Sequence, residues 1–143
     1  MDNANKHLIC RRPFSFFSLL DNGNVVPCCP PWVDGYTYGN INESSFDEVW
    51  NSDKAIKFRE SILDGSFAYC NKMSCPMLST GGEDVRVKEH YIKQTEEEAG
   101  PTDALIVSDI KNNKSKLDHG PLHIECNYDR SCNLSCPSCR DKT

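Results

Sequence analysis

Three cysteines near the end of the chain, Cys132, Cys136 and Cys139, stand at C-x3-C-x2-C spacing. Thiolates are soft ligands that select zinc and iron–sulfur centres. Three of them can hold a four-iron cluster and leave one iron without a protein ligand, a place where a small molecule can be activated. Just before this loop, Pro121-Leu122-His123-Ile124-Glu125-Cys126 alternates apolar and polar residues with the period of a short strand. A strand that opens into a cysteine-rich loop suits a metal centre better than a stapled surface turn.

A second set lies upstream. Cys10 and Cys28 flank a predicted hairpin, and Cys70 and Cys75 follow a predicted helix. Hairpin ends and the loop after a packed helix can converge, so these four thiolates could close around one site. Four-thiolate closure suits either tetrahedral zinc or an iron–sulfur cluster. Cys29 is the alternative to Cys28, because adjacent residues of a strand end point opposite ways. Cys126 reads as a small hydrophobe buried in its strand; its competing role is fourth ligand of a zinc knuckle with Cys132, Cys136 and Cys139.

The elements that position these residues follow from local chemistry. Phe14 to Leu20 reads as a strand, Asp21-Asn22-Gly23-Asn24 as a tight turn, and Val25-Val26 as the return strand. Pro27, Pro30 and Pro31 stop the ladder. Ser45 with Glu48 forms a capping box for a helix carrying Phe46, Val49, Trp50, Ile56, Phe58, Ile62 and Leu63, and Gly65 ends it. Asn51-Ser52-Asp53 is weak helix chemistry, so two short helices in sequence are the alternative. Val85 to Glu98 is expected as a charged helix broken by Gly100-Pro101, Ala104 to Val107 as a strand, and Asn112 to His119 as a polar, flexible linker. Gly81-Gly82-Glu83 is loop chemistry. His7, His90 and His119 read as exposed and His123 as a strand-face residue, none with ligand-like spacing.

Composition narrows the function classes. Of 143 residues 38% are hydrophobic and the net charge is −5, with lysine and arginine scattered, which argues against a nucleic-acid partner. The longest apolar run, Phe14 to Leu20, is broken by serines and far too short to span a bilayer, so no membrane partner is expected. Nine cysteines without an export signal point to a reducing compartment, and a cytoplasmic location is expected.

The block from Cys10 to Pro76 resembles the SPASM and related twitch domains, auxiliary-cluster modules of radical S-adenosylmethionine (radical SAM) enzymes. The matching features are the C-x12-G-x4-C hairpin, Val25-Val26-Pro27-Cys28-Cys29, Gly39-Asn40-Ile41, the Phe46–Trp50 helix start and the closing pair Cys70 and Cys75. The terminal three cysteines are similar to the radical SAM cluster motif, with Ser138 where that family usually has an aromatic residue.

The resemblance implies that Cys132, Cys136 and Cys139 hold a [4Fe-4S] cluster whose open iron binds S-adenosyl-L-methionine. Reductive cleavage to a 5′-deoxyadenosyl radical would then start hydrogen abstraction from a peptide, protein or other substrate. It implies one auxiliary [4Fe-4S] cluster on Cys10, Cys28, Cys70 and Cys75, because cysteines for another are missing after Cys75. A flavodoxin or ferredoxin would supply electrons. The fold expected is α+β. A SPASM-like hairpin-and-helix module spans 1–80, a charged helix and linker spans 81–120, and the first strand and cluster loop of a partial (β/α) barrel spans 121–143. With most of the barrel missing, the 143-residue chain alone is expected to be inactive. The competing reading is a non-enzymatic zinc-binding module with two four-cysteine sites.

Overall fold

A computed structural model describes residues 5–98 and 100–127. In chain order the elements are β1 (Leu8–Cys10), α1 (Arg12–Ser15), β2 (Phe16–Leu19), β3 (Asn24–Val26), β4 (Gly39–Asn40), α2 (Phe46–Trp50), α3 (Asp53–Leu63), α4 (Pro76–Thr80), β5 (Val85–Val87), α5 (Lys88–Glu98), α6 (Pro101–Lys111) and β6 (His123–Cys126). This is the expected α+β class. One sheet has the order β4-β3-β2-β6, and β1 pairs with β5 in a separate ribbon.

The hairpin is built as its sequence requires. Ser18 faces Val26 and Leu19 faces Val25 across the antiparallel pair β2–β3. Gly23 closes the turn at φ +85°, a region that costs glycine nothing and a side chain strain. The helical segment is two helices. Ser45 accepts from the Glu48 backbone while Glu48 returns a bond to Ser45, and Ser52 caps α3 by accepting from the Ala55 N–H. Their apolar faces and the hairpin share one core that includes Phe14, Phe17, Tyr38, Trp50, Phe58, Ile62 and Phe67.

Several expectations are corrected. The strand expected from Phe14 starts at Phe16, because Pro13 in the first turn of α1 supplies a preset helical φ and Phe14 packs into the core from there. Val85–Val87 is not helical. It pairs antiparallel with β1, Cys10 facing Val85, and α5 begins only at Lys88. Ala104 to Val107 lies inside α6, where Pro101 occupies the first turn and Ile106, Val107 and Ile110 are buried on one helical face. A four-residue apolar run does not distinguish a strand from a buried helix.

The segment Asn112 to His119 is tied down rather than loose. Asn51 Oδ1 accepts the Leu117 N–H (2.9 Å), Asn51 Nδ2 donates to the Leu117 carbonyl (2.9 Å), and Trp50 Nε1 donates to the His119 carbonyl (2.7 Å). Leu117 is buried, and His119 is half-buried with Nε2 2.7 Å from Asp109 Oδ2, so it is no free surface histidine. His7 and His90 are exposed, as expected. His123 lies on β6 with its ring stacked on Phe16 at 5.5 Å.

The strand before the terminal motif forms, but as an added edge. β6 runs parallel to β2, with His123 facing Phe16 and Cys126 facing Leu19. All four of its residues are exposed, so Cys126 is not the buried hydrophobe expected of it. Where the chain leaves β6, the Asn127 N–H donates to the Leu19 carbonyl (2.8 Å) and its Nδ2 to Ser18 Oγ (2.9 Å).

Arg59 on α3 joins these pieces. It is fully buried. Its Nε donates to the Pro13 carbonyl (2.8 Å), Nη2 to the Trp50 carbonyl (2.8 Å) and Nη1 to the Ser115 carbonyl (3.0 Å). The guanidinium stacks over Trp50 at 4.3 Å, and burial pushes its pKa down to about 10.

Candidate metal centre

Three separate stretches of backbone deliver four thiols. Cys10 ends β1, held in register by β5, and the Arg11 N–H that follows donates to the Asp84 carbonyl (2.9 Å). Cys28 follows β3 once Pro27 has ended the ladder. Cys29 then turns the chain into a 3-10 turn over Pro30–Trp32, its carbonyl accepting the Trp32 N–H (2.9 Å).

The last two thiols depend on a sharp helix end. Gly65 sits at φ +74°, and an added Cβ there would lie 2.6 Å from Lys6 Cα, so α3 stops where the chain can pass close to the N-terminal stretch. Cys70 and Cys75 bracket a loop organised by Asn71. Its Oδ1 accepts the Met73 N–H (3.1 Å) and the Ser74 N–H (3.0 Å), and its carbonyl accepts the Cys75 N–H (2.9 Å). The Asn71 N–H donates to the Trp32 carbonyl (2.7 Å) and its Nδ2 to Asp34 Oδ1 (2.7 Å), which ties this loop to the one after Cys28.

The result is a single pocket with Cys10, Cys28, Cys70 and Cys75 all in its wall. Cys29 is not among the residues that line it. Phe58, Ile62, Phe67 and Val85 supply apolar wall, while Arg12 and Asp84 bring opposite charges. Sequence reasoning missed Arg12, Asp84 and Asn71. Asn71 carries a local signal, since an asparagine inside a short loop readily organises its own backbone. Asp84 carries none.

All four cysteines are free thiols. Burial pushes Cys10 well up, and the nearby Cys70 and Cys28 push the same way, against a hydrogen bond from the Arg12 backbone. Cys28 is raised chiefly by burial and then by Cys70, against the charge of Arg12. Cys70 is pushed up to about 12 by burial and then by Cys75. Such thiols stay neutral at ordinary pH unless a cation takes the place of their protons. The donor set therefore fits a thiolate-held metal or cluster. Among the described residues, no group of three or more histidine, cysteine, aspartate or glutamate side chains is gathered as a site for a single metal ion.

A pH effect follows for the metal-free, reduced protein. The folded Cys70 pKa lies above the ordinary value of 9.0, so above that value the unfolded chain gives up a proton that the fold retains. The stabilisation is complete below pH 9 and is lost as pH climbs from 9 toward 12. The melting temperature of metal-free protein should hold steady from pH 7 to 8.5 and fall above 9. Cys70→Ala should make that fall shallower.

Cys132, Cys136 and Cys139 lie outside the described residues. No helix among the described residues is long and apolar enough to cross a membrane.

Comparison with known proteins finds one family model that matches part of the chain. The SPASM family, an iron–sulfur cluster-binding domain, matches residues 10–76, a span that opens on Cys10 and closes just after Cys75. Over 59 residues the chain is 29% identical to the S-adenosyl-L-methionine-dependent 2-deoxy-scyllo-inosamine dehydrogenase of Niallia circulans. That stretch is 41% of this chain, and the chain spans only 24% of the length of that relative. No solved structure matches the chain.

Proposed function

From the match of residues 10–76 to the SPASM iron–sulfur family, a module carried by radical SAM enzymes, we propose that Cys10, Cys28, Cys70 and Cys75 hold an auxiliary [4Fe-4S] cluster. The observation that carries the proposal is their convergence: four thiols from three chain segments line one pocket inside the matched span. What favours a cluster over zinc is that the matched family is an iron–sulfur cluster-binding domain whose span opens on Cys10 and closes just after Cys75.

When bound, a cluster held by four protein thiolates supplies electron relay or structural support, with no iron left open for a small molecule. The chain's own residues provide the rest. Phe58, Ile62 and Phe67 keep water from the pocket, Asn71 fixes the spacing of two ligands, and Arg12 offsets part of the negative charge that four thiolates bring.

The terminal motif completes the reading. Cys132, Cys136 and Cys139, which follow β6 in sequence, are proposed to hold a second [4Fe-4S] cluster that binds S-adenosyl-L-methionine. The activity proposed for the whole protein is hydrogen abstraction from a peptide, protein or other substrate, driven by electrons from a flavodoxin or ferredoxin. The dehydrogenase named above is compatible with that class of chemistry.

Anaerobic reconstitution of the full chain with iron and sulfide tests this. Iron and sulfide uptake with cluster absorption and electron paramagnetic resonance signals is expected, and Cys70→Ala should remove one of two signals. S-adenosyl-L-methionine should alter only the signal that is lost in Cys132→Ala. A colourless, zinc-loaded protein from an anaerobic preparation would overturn the cluster assignment.

A further inference from the structure

The cysteine pocket contains a held cation. Arg12, two residues beyond Cys10 at the start of α1, lines the pocket with its side chain only 25% exposed. Its Nε donates to Asp84 Oδ2 (2.7 Å). Its guanidinium carbon lies 4.7 Å from the Phe16 ring centre and 5.7 Å from that of Trp32. Two aromatic faces and a carboxylate thus restrict where the charge can sit. The neighbouring Arg11 pairs with Asp103 at 3.2 Å and reaches the other Asp84 oxygen at 3.9 Å, so Asp84 is shared between the two arginines.

Here the guanidinium-bearing side chain shares one pocket wall with Cys10, Cys28, Cys70 and Cys75. Much of the remaining wall is hydrocarbon, where a charge is weakly screened. Reducing a bound cluster makes and breaks no bond. One electron from an external donor enters, and the pocket becomes more negative by one charge. A fixed cation favours that change and a fixed anion opposes it, one of the means by which proteins spread iron–sulfur potentials over a wide range.

We propose that Arg12 raises the reduction potential of the auxiliary cluster through its guanidinium charge, and that Asp84 holds the guanidinium in place while offsetting part of that charge. This rests on the assignment of the cluster to Cys10, Cys28, Cys70 and Cys75. The auxiliary site is accordingly poised to take up an electron rather than to serve as an inert staple.

The test uses the full chain with Cys132, Cys136 and Cys139 replaced by alanine, so that only the auxiliary cluster is loaded. Its midpoint potential is read by dithionite titration followed by electron paramagnetic resonance, beside iron and sulfide content. Arg12→Gln should make reduction at least tenfold less favourable, a downward shift of about 59 mV or more for one electron. Arg12→Lys, which keeps the charge, should recover most of that loss. Asp84→Asn, whose amide oxygen can still accept from Nε, should shift the potential upward.

If the parent takes up no iron and sulfide, the cluster assignment fails and this inference with it. With the parent loaded, an unchanged midpoint in Arg12→Gln, or an equal loss in Arg12→Lys, overturns the role of Arg12 alone. Should Arg12→Gln fail to fold, Asp84→Asn still decides, because an unmoved or lowered potential there overturns the proposal.

Discussion

Replacing Arg59 with alanine should destabilise the fold by about 3 kcal/mol or more, the largest stability effect expected of a single side chain here. The guanidinium is the donor for three backbone carbonyls, those of Pro13, Trp50 and Ser115, which belong to three different parts of the chain. Truncation strands the Pro13 and Trp50 carbonyls in the buried interior and the Ser115 carbonyl at a half-buried position, and each buried, unpaired polar group costs about 1–3 kcal/mol. It also leaves a void beneath Trp50, which the guanidinium stacks against. Domain stabilities are only about 5–15 kcal/mol, so the variant should be close to unfolding at physiological temperature. Arg59→Lys should recover little, since an ammonium on a flexible stem does not reproduce a planar fork of donors. Lys57→Ala, at an exposed position of the same helix, should stay within about 0.5 kcal/mol of the parent. Urea unfolding curves of equal slope would measure these differences. A loss below about 1 kcal/mol for Arg59→Ala would contradict the account.

The contrast between Arg59 and the hairpin shows which parts of this molecule were legible in the linear chain. Asn22-Gly23 marks its turn and Ser45-x-x-Glu48 its helix start because the chemistry that decides each lies within a few residues. The convergence of Cys10, Cys28, Cys70 and Cys75 was legible for a similar reason, since a hairpin and a helix return bring their ends together. Val85–Val87 was misread because its conformation is decided by β1, far away in sequence. Ala104 to Val107 was misread because an apolar run too short to show a period takes its form from what it packs against, here as part of α6. Arg59 reads as one more charged residue on a helix face. Only the three carbonyls that surround it explain why it is inside. Asp84 is similar, because nothing near it announces that Arg12 will reach across to it.

Cys28→Ser should abolish the auxiliary cluster, while Cys29→Ser should leave it fully loaded. The two residues are neighbours with the same chemistry, so composition and family likeness separate them poorly, and the difference rests on geometry. Cys28 shares the pocket wall with the other three thiols, and among its neighbouring charges Cys70 acts on it most strongly. Cys29 lies outside that wall, where its surroundings are Arg12, Glu125 and the more distant influence of Cys75. Its backbone, rather than its sulfur, does the structural work there, accepting the Trp32 N–H to start the turn that Asn71 grips. Serine keeps that backbone bond in either variant, so both proteins should fold. A hydroxyl is a hard, weakly acidic donor that replaces a thiolate poorly on iron. In the chain bearing alanine at 132, 136 and 139, iron content after reconstitution should fall essentially to zero for Cys28→Ser and match the parent for Cys29→Ser. The reverse pattern would move the ligand to Cys29 and require the strand end to rotate on cluster binding. Equal retention in both would mean that either sulfur can serve, and that the geometry around Pro27 is less restrictive than the ladder before it.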